Sequence, residues 1–225
     1  MLRNSLLLFI ISVAFSLTAL ETRAQKSRIY SFDEKLFYKG LDYYEKEKYG
    51  AARNFFDRAL EKSGPGKSDI KADAQFYRAM CSVELFNIDA EHLVFEFVNE
   101  NPESPHVNEA WFRLADFMYK KKNYPRTITY YEKVDRFLLE PGELSKYYFQ
   151  KGYSHYMRRE YDEARVNFYE IKDIDSKYTS PALYYYSHIA YDQENYQTAL
   201  EGFLRLLDDK TFSEIAPYYV TQIYY

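Results

Sequence analysis

Residues 62–68 read Lys-Ser-Gly-Pro-Gly-Lys-Ser, and a Gly-Lys-Ser ending is what a phosphate-binding loop presents to a nucleotide. Such a loop needs G-x-x-x-x-G-K-[ST] between a strand and a helix, so that backbone N–H groups can cradle the phosphates. With Gly66 as the second glycine, the first should stand at position 61, where the chain has Glu61. The run before it is no strand, because Ala52, Phe55, Phe56, Ala59 and Leu60 recur at helical spacing. The segment therefore reads as a turn, with Gly64 closing a helix in the left-handed conformation and Pro65 stopping its continuation.

Other residue types that could do chemistry are dispersed. His92, His106, His155 and His188 stand singly, with no pair at i, i+4 and no H-E-x-x-H, so neither a metal nor another cofactor is expected. His155 reads as a partly buried imidazole with its hydrogen bonds satisfied. Cys81 is the only cysteine and reads as a small buried apolar residue. Glu132, Asp162 and Glu163 read as solvated helix surface, since nothing in the pattern desolvates them. Lys120-Lys121-Lys122 reads as a solvated helix end, where cations favour the dipole. The expectation is a non-enzymatic protein.

The elements that position these residues follow from composition and period. Of 225 residues, 20% are aromatic, 26 of them Tyr, while Gly and Pro number only 7 each. Few breakers and many large apolar side chains specify a packed, helix-rich fold and exclude disorder. The net charge is −4 with signs mixed throughout and no basic run, so nucleic acid is excluded as a partner. Arg3, the apolar run of 15 residues from Leu6 to Leu20, and small residues at Thr22 and Ala24 read as a secretory signal spanning 1–24. The run is short of the ~20 residues a spanning helix needs, so no transmembrane segment is expected after cleavage. Residues 25–32 read as a linker, and the mature chain is expected to be periplasmic or secreted.

The rest, 33–225, repeats. Gly40, Ala79, Ala115, Gly152, Ser187 and Thr221 are separated by 39, 36, 37, 35 and 34 residues. Four before them stand Leu36, Gln75, Trp111, Tyr148 and Leu183. Nine after stand Tyr49, Ile88, Tyr124, Tyr161 and Tyr196. Twelve after stand Ala52, Glu91, Thr127, Ala164 and Ala199; sixteen after, Phe56, Phe95, Tyr131, Phe168 and Phe203; nineteen after, Ala59, Val98, Val134, Ile171 and Leu206. Each copy specifies two helices that approach closely at the small residues and bury an apolar face only by stacking on their neighbours. Gly64-Pro65, Asn101-Pro102, Pro141-Gly142 and Pro181 are expected between copies. The second copy departs most, with Gln75 and Glu91 at positions that are otherwise apolar or small.

This pattern resembles the tetratricopeptide repeat, W-x2-L-G-x2-Y…A-x3-F…P over 34 residues. The nearest copies run from Trp111 to Val134 and from Tyr148 to Ile171. The resemblance implies an all-α, right-handed superhelical solenoid of about five and a half helix-turn-helix repeats, the last being the single helix 215–225. That ending carries no polar capping face, so either further repeats C-terminal to this chain are expected or a single closing helix whose exposed side meets a partner. The resemblance also implies that the first helices line a concave groove. On those helices a second face recurs three residues before, one after and four after the small residue, offsets that share one helical side. It carries Phe112, Tyr119, Phe149, Tyr153, Tyr156, Tyr184, His188 and Tyr191, the expected partner-binding residues. Such rings can serve local packing or offer rigid amphipathic contact area. The Lys and Asn clamp by which the family binds chaperone tails is replaced by Phe37, Leu41, Phe76 and Met80. The expected function is a scaffold or adaptor in the bacterial envelope that holds a protein or extended peptide. The alternative is a glycan- or peptidoglycan-binding module, with Asp116, Glu84 and Asp192 beside the rings.

Overall fold

The structure, a computed structural model, describes residues 31–64 and 68–225; the expected secretory signal and most of the expected linker lie outside the described residues. Asp33–Tyr225 is one compact unit. Eleven α-helices and no strand occur among the described residues: α1 Phe32–Glu45, α2 Tyr49–Lys62, α3 Asp69–Glu84, α4 Ala90–Glu100, α5 Val107–Lys120, α6 Tyr124–Tyr131, α7 Pro141–Met157, α8 Tyr161–Tyr169, α9 Thr179–Asp192, α10 Tyr196–Leu204 and α11 Ala216–Tyr224. From α2 onward each helix packs on the next, and among the first helices α3 packs on α5 and α5 on α7. The chain is a solenoid of tetratricopeptide-type helix pairs.

The small residues do what their spacing requires. A Cβ on Gly40 would lie 2.6 Å from the Phe56 ring, and Ala79 and Ala115 are fully buried. Ser187 is also fully buried, and a Cβ on Gly202 would lie 1.8 Å from its Oγ. The positions four residues earlier are buried in all five copies, Gln75 included. Gln75 satisfies its amide by donating to Glu100 at 2.7 Å and accepting from Asn101 at 2.8 Å.

Each helix pair turns through one recurring device. Glu47, Phe86, Lys122, Arg159 and Glu194, each seven residues after the small position, have φ between 55° and 65°. In every case that residue's N–H donates to the carbonyl three residues earlier, and the next N–H donates to the carbonyl five residues before it, as in Glu194→Tyr191 and Asn195→Ala190. This left-handed closure satisfies the orphan carbonyls of the first helix. None of the five is glycine, so all carry the strain of a side chain in that region.

Four expectations are corrected. First, α2 does not close through a left-handed Gly64. It ends at Ser63, whose backbone is extended and whose N–H and hydroxyl both donate to the Ala59 carbonyl at 2.9 Å. Ser68, the last residue of the Gly-Lys-Ser triplet, caps α3 by accepting from the Lys71 N–H. The element before the triplet is a helix, while Pro65, Gly66 and Lys67 lie outside the described residues. Second, the second copy is in a different register. Ala90, Val94 and Phe97 are the fully buried residues, not Glu91, Phe95 and Val98, so the buried positions fall one residue closer to Ala79 than their equivalents do in the other copies. Third, Pro141 and Pro181 lie inside the first turns of α7 and α9, where a missing N–H costs no hydrogen bond. Fourth, the positions nineteen after the small residue fall beyond the second helix in the last three pairs, because α6, α8 and α10 run only 8, 9 and 9 residues. Val134, Ile171 and Leu206 are buried in the tighter turn that follows, their N–H groups donating three residues back.

Candidate functional site

The second face of the first helices forms a continuous aromatic seam, and the structure divides it in two. In the first three copies the residues three before the small position, Phe37, Phe76 and Phe112, are buried. Phe112 is 3% exposed, with its ring 5.9 Å from Tyr131. It therefore packs the core and leaves little surface toward the groove. The other seven expected residues are half-buried: Tyr119 on α5, Phe149, Tyr153 and Tyr156 on α7, and Tyr184, His188 and Tyr191 on α9.

Six of these touch in sequence, and Tyr191 joins them through Tyr219, which lies 5.5 Å from His188 and 5.3 Å from Tyr191. The Tyr119 and Tyr153 rings lie 5.9 Å apart, edge to face, and Phe149 and Tyr153 stack at 6.1 Å. Tyr153 leads to Tyr156 at 6.4 Å, and the Tyr156 hydroxyl reaches Nδ1 of His188 at 3.5 Å. His188 meets Tyr184 at 6.0 Å and pairs with Asp192 at 3.2 Å. Burial pushes the Tyr156 phenol up to about 12 and the Tyr119 phenol higher, so these hydroxyls stay neutral donors at ordinary pH.

The sequence reading missed the residues that join one copy to the next. They stand two before the small position: Tyr77, Tyr185 and Tyr219. Tyr185 lies 4.8 Å from Tyr156 and 5.5 Å from Phe168 of the preceding copy. Tyr219 lies 5.3 Å from Tyr191 and stacks on Phe203 at 4.5 Å. Tyr77 bridges Tyr44 and Phe56 in the same way. The shared offset of three tyrosines was the available signal.

In the middle copies this joining position is polar. Arg113 binds Glu84, and Gln150 donates to Asp116 at 2.9 Å while accepting from the Tyr131 hydroxyl at 2.6 Å. Asp116 is 4% exposed and also pairs with Lys146 at 2.7 Å and Lys120 at 3.0 Å. Burial alone would raise its pKa, but the hydrogen bonds from Lys146 and Gln150 outweigh that and hold the carboxyl below the usual range. The carboxylates expected beside a bound sugar are thus engaged within the protein: Asp116 by Lys146 and Lys120, Glu84 by Arg113, and Asp192 by His188.

His155, His106 and Cys81 are engaged within the protein. His155 is 8% exposed and pairs with Glu160 at 2.8 Å. His106 stacks on Phe76 at 4.3 Å. Cys81 is fully buried, and burial pushes its thiol up to about 12. Among the described residues, no three His, Cys, Asp or Glu side chains are grouped so as to hold a metal ion.

Comparison with known proteins adds two similar structures. The chain is similar to a thermophilic tetratricopeptide-repeat protein of Thermus thermophilus, with 14% identity, a TM-score of 0.43, and 85% of this chain and 98% of that one covered. It is also similar to a Rap protein in complex with competence and sporulation factor, with 15% identity and a TM-score of 0.47, covering 93% of this chain and 62% of the Rap chain. No family profile and no curated protein matches the sequence.

Proposed function

We propose that the chain is a non-catalytic scaffold that holds an extended segment of another protein along the first helices of its fourth and fifth repeats, in the bacterial envelope. The observation that carries this reading is the half-buried run Tyr119, Tyr153, Tyr156, His188 and Tyr184, linked ring to ring across three first helices, with Tyr191 joined to it through Tyr219. Tyrosines held in place by their neighbours offer contact area with little rotamer entropy left to lose, and their hydroxyls supply hydrogen bonds to a peptide backbone. The engaged carboxylates favour this over sugar binding, which needs acceptors free beside the rings. The envelope setting rests on the secretory signal read in residues 1–24.

A photo-crosslinking benzoyl-phenylalanine placed at 156 or 191 in the living cell tests the reading. The same group at Tyr169, 60% exposed on α8, is the reference. Discrete protein adducts from 156 and 191, absent from 169, are expected. Equal adducts from all three positions, or none from 156 and 191, would overturn the proposal. The envelope reading stands if the N-terminus of the protein recovered from cells is Gln25.

A further inference from the structure

Two features that the scaffold reading leaves unused meet at one place in the fold. One is the irregular second copy; the other is the Lys120-Lys121-Lys122 run. In the other four copies the turn carries a tyrosine whose ring packs on the tyrosine that precedes the turn, as Tyr124 does on Tyr119 and Tyr196 on Tyr191. The second copy has Val83 and Ile88 at these positions, and the segment between its helices, 85–89, is five residues long against three in the others. Ile88 is 98% exposed, Phe86 51% and Leu85 41%. The left-handed position is charged in the other four turns, and only here does a bulky apolar residue, Phe86, occupy it. Phe86 keeps that strained position although half of it remains exposed, which marks a surface in use.

The lysines stand over the same rings. Phe86 packs on Phe117 at 5.5 Å, Lys120 Nζ lies 5.9 Å from the Phe86 ring, and Lys121 Nζ lies 4.8 Å from the Phe117 ring. Nearby acids are engaged: Glu84 by Arg113, Asp89 by Arg53 at 2.6 Å, and Asp116 by Lys146 and Lys120. Lys121 and Lys122 are exposed and have no carboxylate partner among the described residues. A locally cationic, apolar tip therefore stands on a chain whose net charge is −4.

We propose that Leu85, Phe86 and Ile88, flanked by Lys120–Lys122, dock the solenoid on an anionic lipid bilayer surface. The apolar side chains project from turns rather than lining a cleft. A liquid interface accepts such projections without shape complementarity, while lysine stems lie along the apolar boundary and their heads meet the phosphates. Lysines near an anionic leaflet supply the attraction and set the orientation. The acidic remainder of the chain is repelled, so contact is confined to this tip.

The test uses the full chain carrying Ile88→Cys labelled with an environment-sensitive dye. Cys81 is buried and its thiol pushed up to about 12, so the dye reports on the new cysteine alone. Capture of the chain through the apolar run 6–20 does not by itself bring residue 88 into the bilayer, so the readout is local emission. A blue shift is expected on vesicles of equal parts phosphatidylglycerol and phosphatidylcholine, and not on phosphatidylcholine alone. Lys121→Gln with Lys122→Gln should lower the apparent lipid affinity read by the dye by about thirtyfold, and added salt should weaken it further. Four results would overturn the proposal: no shift on anionic vesicles, an equal shift on neutral ones, an equal shift from a dye at Gln197→Cys on α10, or a shift with a synthetic acidic amphipathic peptide in place of vesicles. The last would assign the tip to a protein partner.

Discussion

The carboxylate of Asp116 shows how one side chain can hold two repeats together. It is buried on α5 yet reaches Lys146 and Gln150 on α7, and Gln150 passes the link to Tyr131 on α6. Asp116→Ala leaves Gln150 and a one-quarter exposed Lys146 without their acceptor, at a cost of about 2–3 kcal/mol in urea unfolding at neutral pH. The pH dependence has a definite sign. The folded carboxyl sits below its ordinary value of 3.8, so its contribution is complete above that value and is lost as pH falls through the lower folded pKa. The stability gap between parent and Asp116→Asn should therefore narrow in acid; a gap that widens there would contradict the assignment. Gly40 works at the same scale through space rather than charge. Gly40→Ala puts a methyl group 2.6 Å from the fully buried Phe56 ring, and a loss of about 1–3 kcal/mol is expected from the forced repacking.

At the scale of the element, the helix pair is defined by its turn. Five left-handed residues at one offset, each with the same two backbone hydrogen bonds, show that the turn geometry is common while its side chains are free to differ. Relieving that strain should stabilise the protein. Arg159→Gly is expected to gain up to about 1 kcal/mol in thermal or urea unfolding, the removed steric cost being partly offset by the extra freedom of an unfolded glycine. Arg159→Ala keeps the Cβ and should gain nothing. A gain from Ala equal to that from Gly would place the effect in the arginine side chain instead. The tyrosines two before the small position in the second, fifth and last copies belong to this scale too. Tyr185 and Tyr219 carry the contact from one pair to the next, so the seam is a product of stacking as much as a candidate surface.

Across the whole molecule, helices meet mainly their neighbours in sequence, and the buried residues fall into three clusters. One surrounds Phe56, a central one runs from Phe76 to Ile189, and one surrounds Phe203. Such an array behaves as a chain of locally stable units joined by interfaces. Damage should therefore stay local. In hydrogen exchange, Gly40→Ala should weaken protection in α1, α2 and the start of α3 and leave α8 to α10 within a few-fold of the parent. Uniform loss along the chain would instead show a single cooperative core.

The sequence by itself determined the repeat. Period, small residues and paired aromatic positions are statements about which side chains must meet at fixed spacing, and spacing is what a sequence records. It also placed His155 and Cys81 as structural groups. Tertiary structure decided the rest. The one-residue shift in the second copy was invisible because Glu91, Phe95 and Val98 mimic the pattern as well as Ala90, Val94 and Phe97 do, and only burial separates them. Phe112 and Phe149 occupy equivalent positions, yet one is sealed and the other half-open, because exposure depends on what the adjoining repeat brings against it. For the same reason the lysine run and the irregular turn, thirty residues apart in the chain, became one surface only when α3 and α5 packed side by side.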